Sequence, residues 1–145
     1  MNAPALLDTN VLLALAWPNH QHHAAAHAWF KKGSGHGWAT CAFTQLGFIR
    51  LSSNPAFTSD AVSPREAAHL LQQWVKMKSH HFWKSPGAAD EMIYEHVLGH
   101  QQVNDAWLVE VARMNRGKLV TLDSRILAHA GKKKEQALVE VIQTA

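Results

Sequence analysis

The chain has 145 residues, 47% of them hydrophobic and six of them tryptophan, a length and apolar content that suit one packed domain and exclude a disordered chain. Its formal charge is +3 with eleven histidines neutral, and its pI is near 9.2, which favours a polyanionic partner. Cys41 is the only cysteine, so no internal disulfide can form, and a cytoplasmic location is expected.

The apolar stretch from Ala3 to Trp17 is interrupted by Asp8, Thr9 and Asn10. It has no basic leader and is too short to span a bilayer, so no membrane contact is expected. Residues 3–8 read as a buried strand, followed by a helical NVLLALAW that Pro18 stops. Residues 20–32 read as a second helix, closed by the glycine-rich loop from Gly33 to Gly37. WATCAF is a strand candidate, and TQLGFIRL after it looks helical.

Ser63-Pro64-Arg65-Glu66 has the form of a capping box with proline at the first helical position. The helix it starts should run about four turns, with Ala67, Leu70, Leu71, Trp74 and Val75 on its apolar face. HHFW reads as a short strand and residues 88–98 as a helix carrying Asp90, Glu91 and Glu95 on a solvated face. Residues 104–116 form another helix, with Asn104 as cap and Gly117 as stop. KLVTLD and ALVEVI are the last two strands. No repeat or linker divides the chain, so residues 1–145 are expected to form one domain. Strand and helix alternate throughout, which predicts an α/β sandwich on a mostly parallel sheet of four to five strands.

Three aspartates fall where such a fold gathers ligands. Asp8 ends the first strand, Asp123 ends KLVTLD, and Asp105 opens the helix NDAWLVEVARM. Parallel sheets bind ligands beyond the carboxyl ends of their strands, so the three carboxylates can converge there. Each alone reads more simply as a cap, a dipole partner or a turn residue. Together they want a cation, and oxygen ligands suit Mg²⁺ or Mn²⁺. Basic residues are grouped at Lys31 and Lys32, at Lys76, Lys78 and Lys84, at Arg113, Arg116, Lys118 and Arg125, and at Lys132 to Lys134. Singly these are solvated surface. Paired with an acidic centre they are what an enzyme acting on a nucleic-acid backbone needs.

The blocks LLDTNVLLAL, TQLGFIRLSSNP, GHQQVNDAWL and KLVTLDSRIL, in this order and spacing, resemble a PIN-domain ribonuclease toxin of the VapC type. The resemblance runs from about residue 5 to the C-terminus. It implies a PIN-like α/β/α sandwich and a Mg²⁺- or Mn²⁺-dependent endoribonuclease, the toxin of a type II toxin–antitoxin system. It also implies RNA as substrate, a homodimer, and a cognate VapB-type antitoxin. The family's acidic positions carry over onto Asp8, Asp105 and Asp123, as catalytic and metal-holding residues that activate water against a phosphodiester. The family commonly has a glutamate in the second block, where this chain has Gln45. Glutamine keeps a carbonyl oxygen for a metal but cannot act as a base, which leaves one ion or two open. Asn10, Asn104, Thr9 and Thr121 are further polar neighbours of the acidic positions.

His23 and His27 have the i, i+4 spacing of a helical metal pair, yet no glutamate lies between them and no cysteine is near. Surface histidines are the simpler reading for His20 to His27. The tryptophans read as core or interface residues. A catalytically weak or inactive PIN domain, acting as an RNA- or protein-binding module, is the alternative that Gln45 suggests. A phosphotransfer fold fits poorly, because Asp8 is followed by Thr9 and Asn10 rather than a second aspartate.

Overall fold

The structure, a computed structural model, describes residues 3–129 and 133–144. Five short strands form one sheet: β1 (Ala5–Leu7), β2 (Trp38–Thr40), β3 (His80–Phe82), β4 (Lys118–Thr121) and β5 (Val139–Val141). Their order is β3-β2-β1-β4-β5, and every pairing is parallel. The expected sheet is therefore at the upper end of its strand count and has no antiparallel member. Parallel neighbours require crossovers, which the helices supply: α1 (Thr9–Ala16), α2 (His23–Gly33), α3 (Ala42–Ser52), α4 (Pro64–Val75), α5 (Val103–Met114), α6 (Arg125–His129) and α7 (Lys133–Gln136). No described helix is long and apolar enough to cross a membrane.

Alternation along the strands divides the core in two. Ala5 and Leu7 of β1, Trp38 of β2 and Val120 of β4 face one layer, where Val11 to Leu15, Ala26, Phe48, Ala67 and Leu71 of the first four helices cover them. Leu6, Ala39 and Leu119 face the other layer, under Leu108, Val111 and Ala112 of α5 and Ile126 of α6. Leu6 and Leu7 are both fully buried, each contributing about 2 kcal/mol by removal from water.

Local chemistry sets most boundaries. At α4, Ser63 Oγ accepts from the Glu66 amide and Glu66 accepts from the Ser63 amide, a complete capping box with Pro64 at the first position. The helix spans twelve residues, nearer three turns than four. The strand in WATCAF stops at Thr40 because Cys41 turns to cap α3, its amide donating to Thr44 Oγ1. The second helix begins only at His23, not at residue 20.

The histidine cluster has a structural task. His23 Nδ1 donates to the Ala14 carbonyl at 2.8 Å and His27 Nε2 to the Leu15 carbonyl at 2.9 Å. These carbonyls belong to the last turn of α1, where no further helical amide reaches them. The two rings meet edge to face.

Two expectations fail near the C-terminal half. Residues 88–98 hold no α-helix, only a 3₁₀ turn over Glu91–Tyr94 that Asp90 caps through the Met92 amide. Met92 and Leu98 are 65% and 92% exposed, and only Ile93, Tyr94 and Val97 of this segment are even partly buried, so little apolar surface is covered to support an α-helix here. Asn104 does not cap α5 either; the helix starts at Val103, with Gln102 at the cap position and a 3₁₀ turn over His100–Gln102 leading in.

The stop of α5 is also displaced by one residue. Arg116, not Gly117, takes the left-handed conformation, with φ of 55°. The Gly117 amide bonds back to the Ala112 carbonyl and the Arg116 amide to Arg113, the paired bonds of a Schellman close. Gly117 is needed for another reason. A Cβ there would lie 2.3 Å from the Trp83 ring and 2.6 Å from the Pro4 carbonyl.

Candidate active site

The strand order creates a crevice. After β1 the chain moves outward to β2 and β3, then returns to lay β4 and β5 on the other side of β1. The gap beyond the carboxyl ends of β1 and β4 is thus the topological switch point, where open parallel sheets take their ligands. Asp8 leaves β1 there and Asp123 follows β4 by two residues.

Asp8 is held from two sides. Its amide donates to the Val120 carbonyl, extending the β1–β4 ladder by one residue. One carboxylate oxygen accepts from the Thr9 amide at 2.7 Å and the other from Thr121 Oγ1 at 2.8 Å. Thr121 Oγ1 in turn accepts from Asn10 Nδ2 and from the Asp123 amide. Asn10 Oδ1 accepts from the Leu122 amide. One buried hydroxyl therefore orients Asp8, Asn10 and the start of the Asp123 turn. Thr121 and Asn10 prove more than bystanders, while Thr9 contributes its amide, and its side chain packs against α3. At Gly47 of α3, an added Cβ would stand 2.7 Å from Thr9 Oγ1, so glycine is what lets α3 approach the start of α1.

The Asp8 carboxyl is pushed up to about 6 from its ordinary 3.8, chiefly by burial. The charges of Asp105 and Asp123 push the same way, against the hydrogen bonds from Thr121 and Thr9. Both other aspartates thus act on Asp8 through space. Asp105 occupies the first turn of α5, where the helix dipole favours an anion. No Lys, Arg or His among the described residues pairs with Asp8. Among those residues, too, no three His, Cys, Asp or Glu side chains are grouped tightly enough to enclose an ion.

Asp123 is engaged by Arg125, whose Nε lies 3.0 and 3.3 Å from its two oxygens and whose Nη2 lies 2.9 Å from Oδ2. The Arg125 amide also donates to Oδ1 at 3.0 Å. Sequence reading had placed Arg125 only within a basic cluster; its position two residues after Asp123 was the available signal. Gln45 is at the same edge of the sheet but gives its amide to Thr40 Oγ1 at 2.9 Å. That hydroxyl also meets His80 Nε2 at 2.8 Å. Asn104 lies in the first turn of α5, and its neighbour Asp105 is the residue whose charge acts on Asp8.

Most basic clusters lie away from this crevice. Helices that return along a parallel sheet end at the strands' amino edge. Lys31 and Lys32 close α2, Lys76 and Lys78 follow α4, and Arg116 and Lys118 precede or open β4. All therefore belong to the far edge, and Lys118 is paired with Glu140. Arg125, after β4, and Lys84, after β3, are the cations of those clusters on the acidic side. Lys132 lies outside the described residues, as do the side chains of Lys133 and Lys134.

A cavity of about 300 Å³ opens beside Asp105, between the 3₁₀ turn at residues 91–94, α5 and α6, and neither Asp8 nor Asp123 lines it. Met92, Ile93, Val97 and Val109 supply apolar walls, and Asp105 and Ile126 border it on the crevice side.

The profile of the PIN domain family matches residues 5–133. Among curated proteins the chain is 38% identical to Ribonuclease VapC39 of Mycobacterium tuberculosis over 143 residues, covering 95% of this chain and 99% of the relative. It is 36% identical to Ribonuclease VapC38 of the same organism, over 87% of this chain and 89% of the relative. Identity to Ribonuclease VapC44 is 38%, over 84% and 87%. With an all-parallel five-stranded sheet and acidic residues at its switch point, the chain belongs to the PIN domain family.

Proposed function

We propose that the protein is an endoribonuclease dependent on Mg²⁺ or Mn²⁺, the toxin of a type II toxin–antitoxin pair, with RNA as substrate and a VapB-type antitoxin as its inhibitor. The observation that carries this reading is Asp8, a carboxylate at the switch point raised to about 6 by burial and by two neighbouring aspartates, with no cation paired to it among the described residues. Membership of the PIN family and the similarity to VapC ribonucleases support it.

The donor chemistry fits a small hard cation: Asp8, Asp105 and Asp123 offer oxygen only, and a divalent ion would relieve the repulsion that burial intensifies. These three would hold it by closing on the ion, since among the described residues no three such side chains are already grouped tightly enough to enclose one. When bound, such an ion offsets charge on a phosphodiester and acidifies a water for in-line attack. The chain's own part is positional. Thr121 and Thr9 fix both oxygens of Asp8, so the carboxylate does not have to be ordered when substrate arrives. The α5 start presents Asp105 from the other layer of the sandwich, and the cavity beside it leaves room for a nucleotide. Homodimer formation is part of the proposal and would be read by light scattering.

The test is cleavage of RNA by the purified chain with Mg²⁺, with Mn²⁺ and with EDTA, alongside Asp8→Asn. Metal-dependent cleavage should fall at least about a hundredfold in the variant. Cleavage that survives EDTA, or an equally active variant, refutes the assignment. Gln45, uncharged and tied to Thr40, favours a second reading as a binding module. RNA retention without cleavage under every metal condition would select it.

A further inference from the structure

The one cation at the acidic crevice that makes a side-chain pair there among the described residues is Arg125. Its guanidinium takes both oxygens of Asp123 with Nε and Nη2, and its backbone amide holds one of them again. The charge of Asp105 also reaches this guanidinium. Arg125 therefore stands in the field of two of the three carboxylates, as a divalent ion would. Its side chain is 84% exposed, so nothing packs it in place. An exposed pair of this kind is weak and readily exchanged.

We infer that Arg125 is a built-in counter-ion that competes with the divalent metal for Asp123 and, once displaced, offers its freed fork to the RNA backbone. The inference rests on the ribonuclease reading for its second half only. The competition is a matter of charge and geometry. An ion that takes Asp123 as ligand must compete with three guanidinium hydrogen bonds, one Nε–H being shared between both oxygens, and then sits near a positive group. Affinity for metal is lowered by the fraction of molecules in which Arg125 holds the carboxylate. After displacement the guanidinium remains tethered two residues from Asp123. A planar fork is suited to two phosphate oxygens at once. The protein would thus load metal most readily when a phosphate is present to receive the arginine.

The experiment is calorimetric titration of the metal-free full chain with Mn²⁺, for the parent, Arg125→Ala, Arg125→Lys and Lys84→Ala. Arg125→Ala should bind Mn²⁺ about three- to tenfold more tightly. Arg125→Lys, which has no fork, should fall between it and the parent. Lys84→Ala removes the same charge from the same edge of the sheet without freeing a carboxylate, and its affinity should stay within about twofold of the parent. Unchanged or weaker Mn²⁺ binding in Arg125→Ala overturns the competition, and so does equal tightening in Lys84→Ala. Absence of Mn²⁺ binding in both the parent and Arg125→Ala overturns it as well.

Steady-state cleavage in saturating Mn²⁺ tests the second half. KM for RNA should rise severalfold in Arg125→Ala while metal affinity improves, opposite signs that a merely structural pair would not produce. An unchanged KM overturns the transfer to phosphate. If Mn²⁺ tightens as expected but no form cleaves RNA, the ribonuclease reading falls and the counter-ion remains.

Discussion

Asp8→Asn should make the metal-free protein more stable at neutral pH, although the side chain it removes accepts two hydrogen bonds. The Asp8 carboxyl is raised from 3.8 to about 6, first by burial and then by Asp105 and Asp123. Its folded value lies above its unfolded one. The favourable contribution is therefore complete below about 3.8 and is lost as pH rises through about 6. Roughly two pH units at about 1.4 kcal/mol each set a ceiling near 3 kcal/mol. Asp8 is only half-buried by surface area, and solvent screening brings this closer to about 2 kcal/mol.

Against that gain, asparagine has one acceptor oxygen where Asp8 has two. If it keeps the Thr9 amide, its amide nitrogen faces Thr121 Oγ1, already accepting from Asn10 and Asp123. Losing the Thr121 hydrogen bond costs about 1 kcal/mol. The net expectation at pH 7.5 is a gain of about 1 kcal/mol, or about 3 °C in Tm for a chain of this size. At pH 4 most of the electrostatic gain is gone and the variant should be no more stable than the parent. Thermal unfolding followed by circular dichroism in EDTA at both pH values decides it. A variant less stable by the same amount at both would show that Asp8 ionises comfortably and serves as a helix cap.

Three further substitutions probe the surroundings. Gly47→Ala should destabilise by about 1–3 kcal/mol in urea unfolding, despite alanine's better helix propensity, because the new Cβ meets Thr9 Oγ1 at 2.7 Å; a stabilised variant would mean that α1 and α3 can separate freely. Arg116→Gly should stabilise by up to about 1 kcal/mol by relieving a left-handed arginine, whereas Gly117→Ala should cost at least about 2 kcal/mol through its contacts with Trp83 and Pro4. The reverse order of effects would put the helix stop at Gly117 after all. Gln45→Glu should strengthen Mn²⁺ binding severalfold by adding a carboxylate at the sheet edge, and unchanged calorimetry would leave position 45 bound to Thr40 alone.

The order of elements was readable because each boundary has a chemical marker: Pro18 after α1, the Ser63–Glu66 box before α4, the alternating apolar strands around Asp8 and Asp123. Strand ends place aspartates by topology, so the approach of Asp123 to Asp8 followed from pattern alone. What pattern cannot carry is side-chain direction. Whether Arg125 turns to Asp123 or to solvent, or Gln45 to Thr40, depends on rotamers that leave no periodic trace. The absent helix at 88–98 had polar spacing compatible with a helix, but Met92 and Leu98 stay exposed and only Ile93, Tyr94 and Val97 are partly covered. The histidines of α2 read as surface, and His27 is exposed. What their spacing could not reveal is that His23 and His27 also bond carbonyls of a different helix.

The sheet order has a consequence for how the protein is made. β1 is made before its partner β4, and the Thr121 hydroxyl that grips Asp8 lies 113 residues later. Such distant pairing is slow and cannot begin until the later segment has emerged. A nascent chain carrying only its first hundred residues has Asp8 without Thr121, Asp105 or Asp123, and β1 with one edge unpaired. On the proposed reading, a nuclease of this topology has no acidic centre until the segment from Asp105 to Asp123 has been made and has joined β1.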